Sequence, residues 1–232
     1  MFRFKQFEIR DELSAMKIGT DGVLLGAWVD IGNDSTILDI GTGTGLVALM
    51  CAQRNKEATI EGIDIVEDAV MEARQNVASS PWDKRITIVN SDIRTYAPDT
   101  RYDHIVSNPP FFLSSLHSPD AARTTARHTT TLTYGDLVTA AERLLRPEGR
   151  LSVVLPTDCA MQFRYTAFER LWLRRITDVT TREGEAPKRT LMEFQLTSSP
   201  LMPRHDTLTI HHADGSYTEQ YRRLTEEFYL NF

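Results

Sequence analysis

The chain has 232 residues, of which 41% are hydrophobic and 25% charged, and its net charge is −6. These values fit one globular domain over 1–232 and exclude a disordered chain, and the acidic balance excludes a protein whose whole surface binds nucleic acid. No apolar run approaches the about 20 residues of a membrane helix, and the first residues lack a signal-peptide core, so we expect a cytoplasmic protein without membrane contact.

From residue 36 onward, predicted strands and helices alternate. Short apolar runs rich in β-branched residues predict strands, and apolar residues at helical spacing predict helices. The predicted strands are 36–40, 58–64, 85–90, 102–107, 150–155, 174–181 and 190–197. The predicted helices are 46–52, 67–78, 134–145, which Pro147 and Gly149 end, and 160–171. This alternation predicts a doubly wound α/β fold with a mostly parallel sheet and helices on both faces, because parallel neighbours need crossover connections.

A glycine-rich turn follows the first predicted strand. Gly41, Gly43 and Gly45 let the backbone turn sharply and approach a ligand closely, and the next helix presents free N–H groups. In a doubly wound sheet the ligand lies at the carboxyl ends of the strands. The turn therefore suits a nucleoside cofactor, although an ordinary strand-to-helix turn has a similar composition.

Three acids at successive strand ends narrow the choice of cofactor. Asp39 precedes the glycines, Asp64 ends the second strand and Asp92 follows the third. A carboxylate at Asp39 repels a pyrophosphate but attracts the positive charges of S-adenosylmethionine, and the glycine spacing differs from the dinucleotide pattern. Asp64 is suited to the ribose hydroxyls and Asp92 to the adenine amino group, although Asp92 taken alone fits a helix N-cap better.

The tetrapeptide Asn108-Pro109-Pro110-Phe111 follows the strand 102–107. The amino nitrogen of a base is a poor nucleophile because its lone pair is delocalised, and the Asn108 side-chain oxygen and the Pro109 carbonyl can accept hydrogen bonds from its two N–H groups. The prolines stiffen the turn, and Phe111 offers a face for stacking on a base, worth about 1–3 kcal/mol. Together with the glycine turn, the tetrapeptide resembles the amino-methylating, Rossmann-like class I methyltransferases, although an Asx-Pro turn at a strand end has the same composition.

Neither metal nor disulfide is expected. Cys51 and Cys159 lie in apolar contexts without the spacing of metal ligands. His211 and His212 point to opposite faces of a predicted strand, which is poor geometry for sharing an ion. His104 lies inside a strand and is expected to be a packed core residue.

Further stretches resemble one branch of that class, the bacterial methyltransferases that modify N6 of adenosine 37 in valine tRNA. The resemblance covers nearly the whole chain, and one departure is Phe111, where the family usually has tyrosine. It implies S-adenosylmethionine as cofactor, the segment 1–30 lying over it, and Lys17 and Thr20 contacting it. Thr20 and Asp21 equally fit a helix N-cap. The stretches that carry the resemblance are 4–7, 15–28, 80–82, 129–132, 217–221 and 228–230.

The resemblance also implies a tRNA partner, and the basic residues offer candidate contacts. The loop 108–133 is long for a compact domain and is expected to form a lip for the substrate. Its part from 121 to 133 contains no acid but several threonines, beside the catalytic tetrapeptide, so it is suited to phosphates. The candidate RNA contacts are Arg123, Arg127, His128, Lys188 and Arg189.

Several other functions stay open at this point. The same acceptors suit the side-chain amide of a protein glutamine, or an amino group of ribosomal RNA or DNA. A non-catalytic RNA-binding module would be expected to have lost Asp39, the glycines or Asn108, and this chain keeps them all. A nicotinamide dehydrogenase is disfavoured by Asp39, and no obligate protein partner is indicated.

Overall fold

A computed structural model describes residues 1–14, 17–110 and 132–231. The strands in these ranges are β1 (Phe2–Arg3), β2 (Glu8–Ile9), β3 (Thr36–Ile40), β4 (Thr59–Asp64), β5 (Ile86–Asn90), β6 (Tyr102–Ser107), β7 (Leu145–Pro156), β8 (Trp172–Arg182), β9 (Arg189–Gln195) and β10 (Arg204–His211). The helices are α1 (Thr20–Trp28), α2 (Leu46–Arg54), α3 (Glu67–Ala78), α4 (Tyr134–Leu144), α5 (Thr157–Ala167) and α6 (Glu219–Thr225).

Eight strands form one sheet in the order β10-β8-β9-β7-β6-β3-β4-β5. β9 is antiparallel to both of its neighbours, and the other adjacent pairs are parallel. The chain builds outward from β3 to β4 and β5 on one side and from β6 to β7 on the other, so strand order reverses between β3 and β6. The predicted doubly wound, mostly parallel sheet is confirmed, and the reversal is where such folds bind ligands.

Side chains of the central strands alternate between two separate cores. In β3, Ile37 packs with α1, α2 and α3 on one face of the sheet, and Leu38 packs with α4 and α5 on the other. Both side chains are fully buried, as are Ile105 and Val106 of β6, which also divide between the two faces. This two-sided burial explains why these strands are continuous apolar runs, and it confirms helices on both faces.

The boundary between α4 and β7 differs from the prediction. The helix ends at Leu144 and the strand starts at once with Leu145, so Pro147 and Gly149 lie inside the strand rather than ending the helix. The pairing of β6 with β7 is irregular between Tyr102 and His104, and Glu148 adopts a positive φ of 64°. A proline and a glycine are compatible with a strand at such an irregularity.

Three further elements differ from the sequence prediction. α5 begins and ends earlier than the predicted 160–171, and Glu169, just beyond its end, has a φ of 64°, which does not continue a right-handed helix. β10 and α6 were not predicted, since β10 opens with the polar residues Arg204, His205 and Asp206 at the sheet edge and α6 has only 7 residues. None of the helices in the described ranges has the length and apolar character needed to cross a bilayer.

The two ends of the chain pack against each other through aromatic rings. Phe4 stacks on Phe7 and Tyr229, with ring centroids 4.7 and 6.0 Å apart, and Phe7 meets the edge of Trp82 at 5.6 Å. The Lys5 N–H donates to the Phe228 carbonyl at 2.8 Å. The chain end thereby fixes the start of the N-terminal segment on the domain surface.

Candidate active site

A cavity of about 600 Å³ opens at the carboxyl ends of β3, β4 and β6. It brings together most of the residues predicted to bind the cofactor or act in catalysis. Pro109 is buried beside it. Phe111, Arg123, Arg127 and His128 lie outside the described residues. The predicted residues that line the cavity are Lys17, Thr20, Asp39, Gly41, Gly43, Asp64, Asp92, Asn108, Pro110 and Arg189.

The glycine turn forms one wall of this cavity. Gly41 and Gly43 have φ values of 72° and 55°, in the left-handed region that side chains disfavour. A Cβ added to either glycine would meet no heavy atom within 4 Å, so the turn leaves open space on that side. Gly41 is held by a 2.8 Å hydrogen bond from its N–H to the Ile63 carbonyl. Gly45, the N-cap of α2, packs against Ala73 and does not line the cavity.

Replacing Gly43 by alanine is expected to weaken cofactor binding beyond its effect on stability. The positive φ costs about 1 kcal/mol of folding free energy, and the new methyl group enters the space left for the ligand. Gly215→Ala is a matched control, because Gly215 has a φ of 87° and equally open surroundings but does not line the cavity. Calorimetric titration with S-adenosylmethionine and thermal melts of both variants separate the two effects. Equal affinities for the two variants would show that Gly43 does not approach the ligand.

Asp39 lies at the end of β3 and is almost wholly buried. Its Oδ2 accepts hydrogen bonds from the Thr42 hydroxyl at 2.7 Å and the Ala48 N–H at 3.2 Å. Burial raises the pKa of this carboxyl to about 7, against the opposing effect of those two hydrogen bonds, and the charge of Asp64 adds to the rise. Asp39 therefore braces the glycine turn, and a cationic ligand would stabilise its ionised form.

Cofactor affinity is expected to rise with pH because a cation favours ionised Asp39. With a pKa of about 7, affinity should increase about tenfold between about pH 6 and pH 8, and titration calorimetry across that range measures it. A raised pKa in the folded state also means that stability falls as the pH rises from the ordinary value of 3.8 towards 7. Asp39→Asn should therefore remove the pH dependence of binding and stabilise the free protein at pH 8 but not at pH 4. A parallel pH profile in this variant would assign the titration to another group.

Asp64 ends β4 and faces the glycine turn. Its Oδ2 accepts from the Gly43 N–H at 3.0 Å and its Oδ1 from the Val66 N–H at 2.9 Å. The carboxylate keeps further acceptor capacity for the hydroxyls of a ribose. Its position at the cavity wall fits the predicted contact with the cofactor.

Asp92 lies beyond β5 and is joined to Arg94. The Arg94 Nε donates to both carboxylate oxygens at 2.9 Å, and the Arg94 N–H donates to Oδ1 at 3.0 Å. These hydrogen bonds, led by that of the Arg94 side chain, lower the pKa of Asp92. Asp92 caps a turn rather than a helix, so its interpretation as a helix N-cap is wrong. Both residues line the cavity.

Asn108 follows directly on β6 and faces the glycine turn across the strand reversal. β6 is registered so that Ser107 lies beside Ile40, and the Ser107 hydroxyl donates to the Ile40 carbonyl at 2.8 Å. Ser107 is fully buried. This bond ties the start of the tetrapeptide to the start of the glycine turn, and the sequence offered no signal for it.

The N-terminal segment reaches the cavity through Ser14, Lys17 and Ile18. The Lys17 ammonium donates to the backbone carbonyls of Asp11 and Glu12, so it is held within its own segment. α3 anchors the segment through Glu72, which accepts three backbone hydrogen bonds and is 1% exposed. Sequence reasoning missed Glu72, although a carboxylate among the buried residues of an amphipathic helix was an available signal.

The start of α1 differs from one of the predicted alternatives. Gly19 is the N-cap, so neither Thr20 nor Asp21 caps the helix. Asp21 instead pairs with Arg189, whose Nε lies 2.7 Å from Oδ1. Lys188 pairs with Glu185 at 3.0 Å and does not line the cavity.

His104 is a buried structural residue, as the sequence predicted. Its ring nitrogens contact the Asp34 carboxylate at 3.0 Å and the Ser152 hydroxyl at 2.9 Å. Arg150 joins the same network through Asp34 at 2.7 Å. In the part of the chain that the structure describes, no group of three or more potential metal ligands comes together.

Comparison with known proteins identifies the family and the fold to which this site belongs. The family model described as the methyltransferase small domain matches residues 18–171. The chain aligns with a predicted O-methyltransferase of Agrobacterium tumefaciens at a TM-score of 0.71, with 21% identity, over 90% of this chain and 96% of that one. That likeness shows the fold. The chain is thus an S-adenosylmethionine-dependent methyltransferase of class I fold, belonging to the methyltransferase small domain family.

Closer relatives define the branch within this family. A tRNA1(Val) (adenine(37)-N6)-methyltransferase of Phocaeicola vulgatus is 47% identical, over 99% of this chain and 97% of its own. Its counterpart in Porphyromonas gingivalis is 46% identical, over 99% of this chain and 94% of its own. The chain therefore belongs to the family of tRNA1(Val) (adenine(37)-N6)-methyltransferases.

Proposed function

We propose that the protein methylates the exocyclic N6 of adenosine 37 in the anticodon loop of valine tRNA. The observation that carries the proposal is that Asn108 and Pro110 of the tetrapeptide line the same cavity as the glycine turn. The names of the full-length relatives support the substrate. An anticodon loop suits such a site, because its bases are already single-stranded and cost little to turn outward.

The cavity residues fit S-adenosylmethionine. Asp39 and Asp64 present carboxylates to a ligand that carries two positive charges. The open space beside Gly41 and Gly43 lets the ligand come close to the protein backbone. Lys17, Thr20 and Asp92 line the same space and are proposed to contact it as well. When bound there, the cofactor supplies an electrophilic methyl group.

Asn108 and Pro109 are proposed to bind and orient the adenine amino group. The Asn108 side-chain oxygen and the Pro109 carbonyl accept the two N–H groups, which draws the nitrogen towards tetrahedral geometry and turns its lone pair to the cofactor. Pro109 and Pro110 keep these acceptors fixed. After attack the nitrogen is cationic, so its proton leaves to solvent and no strong general base is needed. Phe111 is proposed to stack on the base, and its residue type keeps stacking while it lacks the hydroxyl of the family's tyrosine.

Five residues are proposed as contacts for the RNA. Arg189 lines the cavity, and the preceding residue, Lys188, is exposed. Arg123, Arg127 and His128 belong to the proposed lip 108–133, and we propose that they contact phosphates of the loop. The segment 1–30 is proposed to cover the cofactor.

The reaction is tested with unmodified valine tRNA and labelled S-adenosylmethionine. After digestion to nucleosides, we expect N6-methyladenosine from the natural transcript and none from a transcript with guanosine in place of adenosine 37. Label in both transcripts would place the target elsewhere in the tRNA. Label only in added ribosomal RNA, DNA or protein would overturn the substrate and leave the fold and cofactor.

A further inference from the structure

The ion pair between Asp21 and Arg189 connects α1 to β9 at the wall of the cavity. Asp21 lies in the first turn of α1, and Arg189 is the first residue of β9. The antiparallel direction of β9 brings Arg189 beside Pro156 of β7 and Val179 of β8, at the catalytic edge of the sheet. Both members of the pair line the cavity that Asn108 also lines.

The pair fixes how the guanidinium is presented. Nε of Arg189 donates to Oδ1 and Oδ2 of Asp21 at 2.7 and 2.9 Å, and Nη1 donates to the Lys188 carbonyl at 3.0 Å. Nη2 makes no hydrogen bond to any residue that the structure describes. The Arg189 side chain is 39% exposed, so the remaining donor is accessible to a ligand at the cavity mouth.

Stability alone does not account for this arrangement. A pair with one half-exposed member contributes only about 0–1 kcal/mol to folding. The surroundings are also acidic, since Asp21, Asp39, Asp64 and Asp92 all line the cavity. Of the cations that also line the cavity, Lys17 is held on backbone carbonyls of its own segment and Arg94 on Asp92. Arg189 is therefore the candidate to offset these acids for an approaching phosphate, and a guanidinium matches phosphate oxygens well.

We propose that Asp21 is a positioning residue, which holds Arg189 so that its free donor binds a phosphate of single-stranded RNA next to the methylated base. This rests on the proposed function, because it names the part of the RNA that Arg189 contacts. Asp21 acts through Arg189 and does not itself touch RNA. Removing the negative charge of Asp21 should therefore weaken RNA binding, although RNA is itself an anion.

The test compares Asp21→Asn, Asp21→Glu and Arg189→Gln, with Asp206→Asn as matched control. Asp206 pairs with Arg204 at 2.8 Å, also as a partly exposed carboxylate, but lies near the start of the edge strand β10, two strands from β9, and does not line the cavity. Steady-state kinetics with valine tRNA, calorimetry with S-adenosylmethionine, and RNA binding across a salt series measure the effects.

Asp21→Asn and Arg189→Gln should each raise KM for tRNA about fivefold or more, with a much smaller change in kcat and unchanged cofactor affinity. Arg189→Gln should lower the salt slope of RNA binding by about 0.7, the value for one phosphate on a single strand. Asp21→Glu should restore much of the binding, and Asp206→Asn should change nothing.

Two results would overturn the proposal. Tighter RNA binding by Asp21→Asn would show that Asp21 merely repels phosphates, and weaker cofactor binding in both variants would make the cofactor's carboxylate the ligand of Arg189. Failure of the proposed function looks different, because the unaltered protein would then give no N6-methyladenosine from valine tRNA.

Discussion

Replacing Asn108 by alanine is expected to lower kcat by about 100-fold or more, the usual loss when one pre-organised polar group at a reacting centre is removed. The amide oxygen is an acceptor for the reacting amino group, and alanine leaves an N–H without a partner. Cofactor affinity should stay close to that of the unaltered protein, because Asp39, Asp64 and the glycine turn do not depend on this side chain. Single-turnover methylation of valine tRNA and calorimetry with S-adenosylmethionine measure the two quantities.

Asn108→Asp tests whether an acceptor oxygen at this position is sufficient for part of the activity. A carboxylate keeps acceptor oxygens at the same place, so this variant should retain more activity than Asn108→Ala. The start of the tetrapeptide should not move in either, since the buried Ser107 hydroxyl still bonds to the Ile40 carbonyl. An alanine variant within about tenfold of the natural rate would mean that the Pro109 carbonyl alone orients the base.

The sequence was sufficient to predict the central sheet and the cavity wall. β3 and α3 agree residue for residue with the prediction, because each is a periodic apolar segment bounded by strong turn signals. The carboxyl ends of parallel strands share one edge, so Asp39, Asp64 and Asn108 could be assigned to one site from their order alone.

The parts that could not be predicted depend on contacts distant in sequence. The Arg189 side chain pairs with Asp21, 168 residues away, and the Ser107 hydroxyl with the Ile40 carbonyl, 67 residues away. No local pattern encodes such a pair. The prediction of where β7 starts was wrong for another reason. Proline and glycine usually end a helix, but Pro147 and Gly149 lie in an irregular strand that already starts at Leu145.

Replacing Glu72 by alanine is expected to be among the most destabilising changes in the described parts of the chain. Oε1 accepts the N–H groups of Glu12 and Leu13 at 2.6 and 2.9 Å, and Oε2 accepts that of Ser14 at 2.8 Å. Alanine leaves three N–H groups without their partner, so the free energy of unfolding should fall by about 3 kcal/mol. Chemical denaturation measures this.

The matched control is Gln75→Ala on the same helix. Gln75 is exposed, so its replacement should change stability by less than about 0.5 kcal/mol. Glu72→Gln should be intermediate, because the amide keeps one acceptor but places an NH₂ group against a backbone N–H. A loss as small as that of Gln75→Ala would mean that the aromatic contacts of Phe4 and Phe7 and the hydrogen bonds of Asn76 hold the segment without Glu72.

The effect of Glu72 should also depend on pH. Burial opposes its ionisation, but the hydrogen bonds from Ser14, Leu13 and Glu12 outweigh burial and hold the pKa of Glu72 below its ordinary value of 4.5. A lowered pKa in the folded state gives stability that is fully present above that ordinary value and is lost as the pH falls through the folded one. The stability difference between the unaltered protein and Glu72→Gln should therefore shrink on acidification.

Cofactor binding shows whether this anchor serves the site. Ser14 and Lys17 line the cavity, and Asn76, one turn after Glu72, bonds both to the Arg10 carbonyl and to the Thr44 carbonyl of the glycine turn, each at 2.9 Å. α3 thus holds the N-terminal segment and the turn at a fixed separation. Glu72→Ala should weaken S-adenosylmethionine binding at temperatures where the variant is still folded. If the free energy of unfolding falls while the affinity for S-adenosylmethionine stays the same, the segment stabilises the domain but does not contribute to cofactor binding.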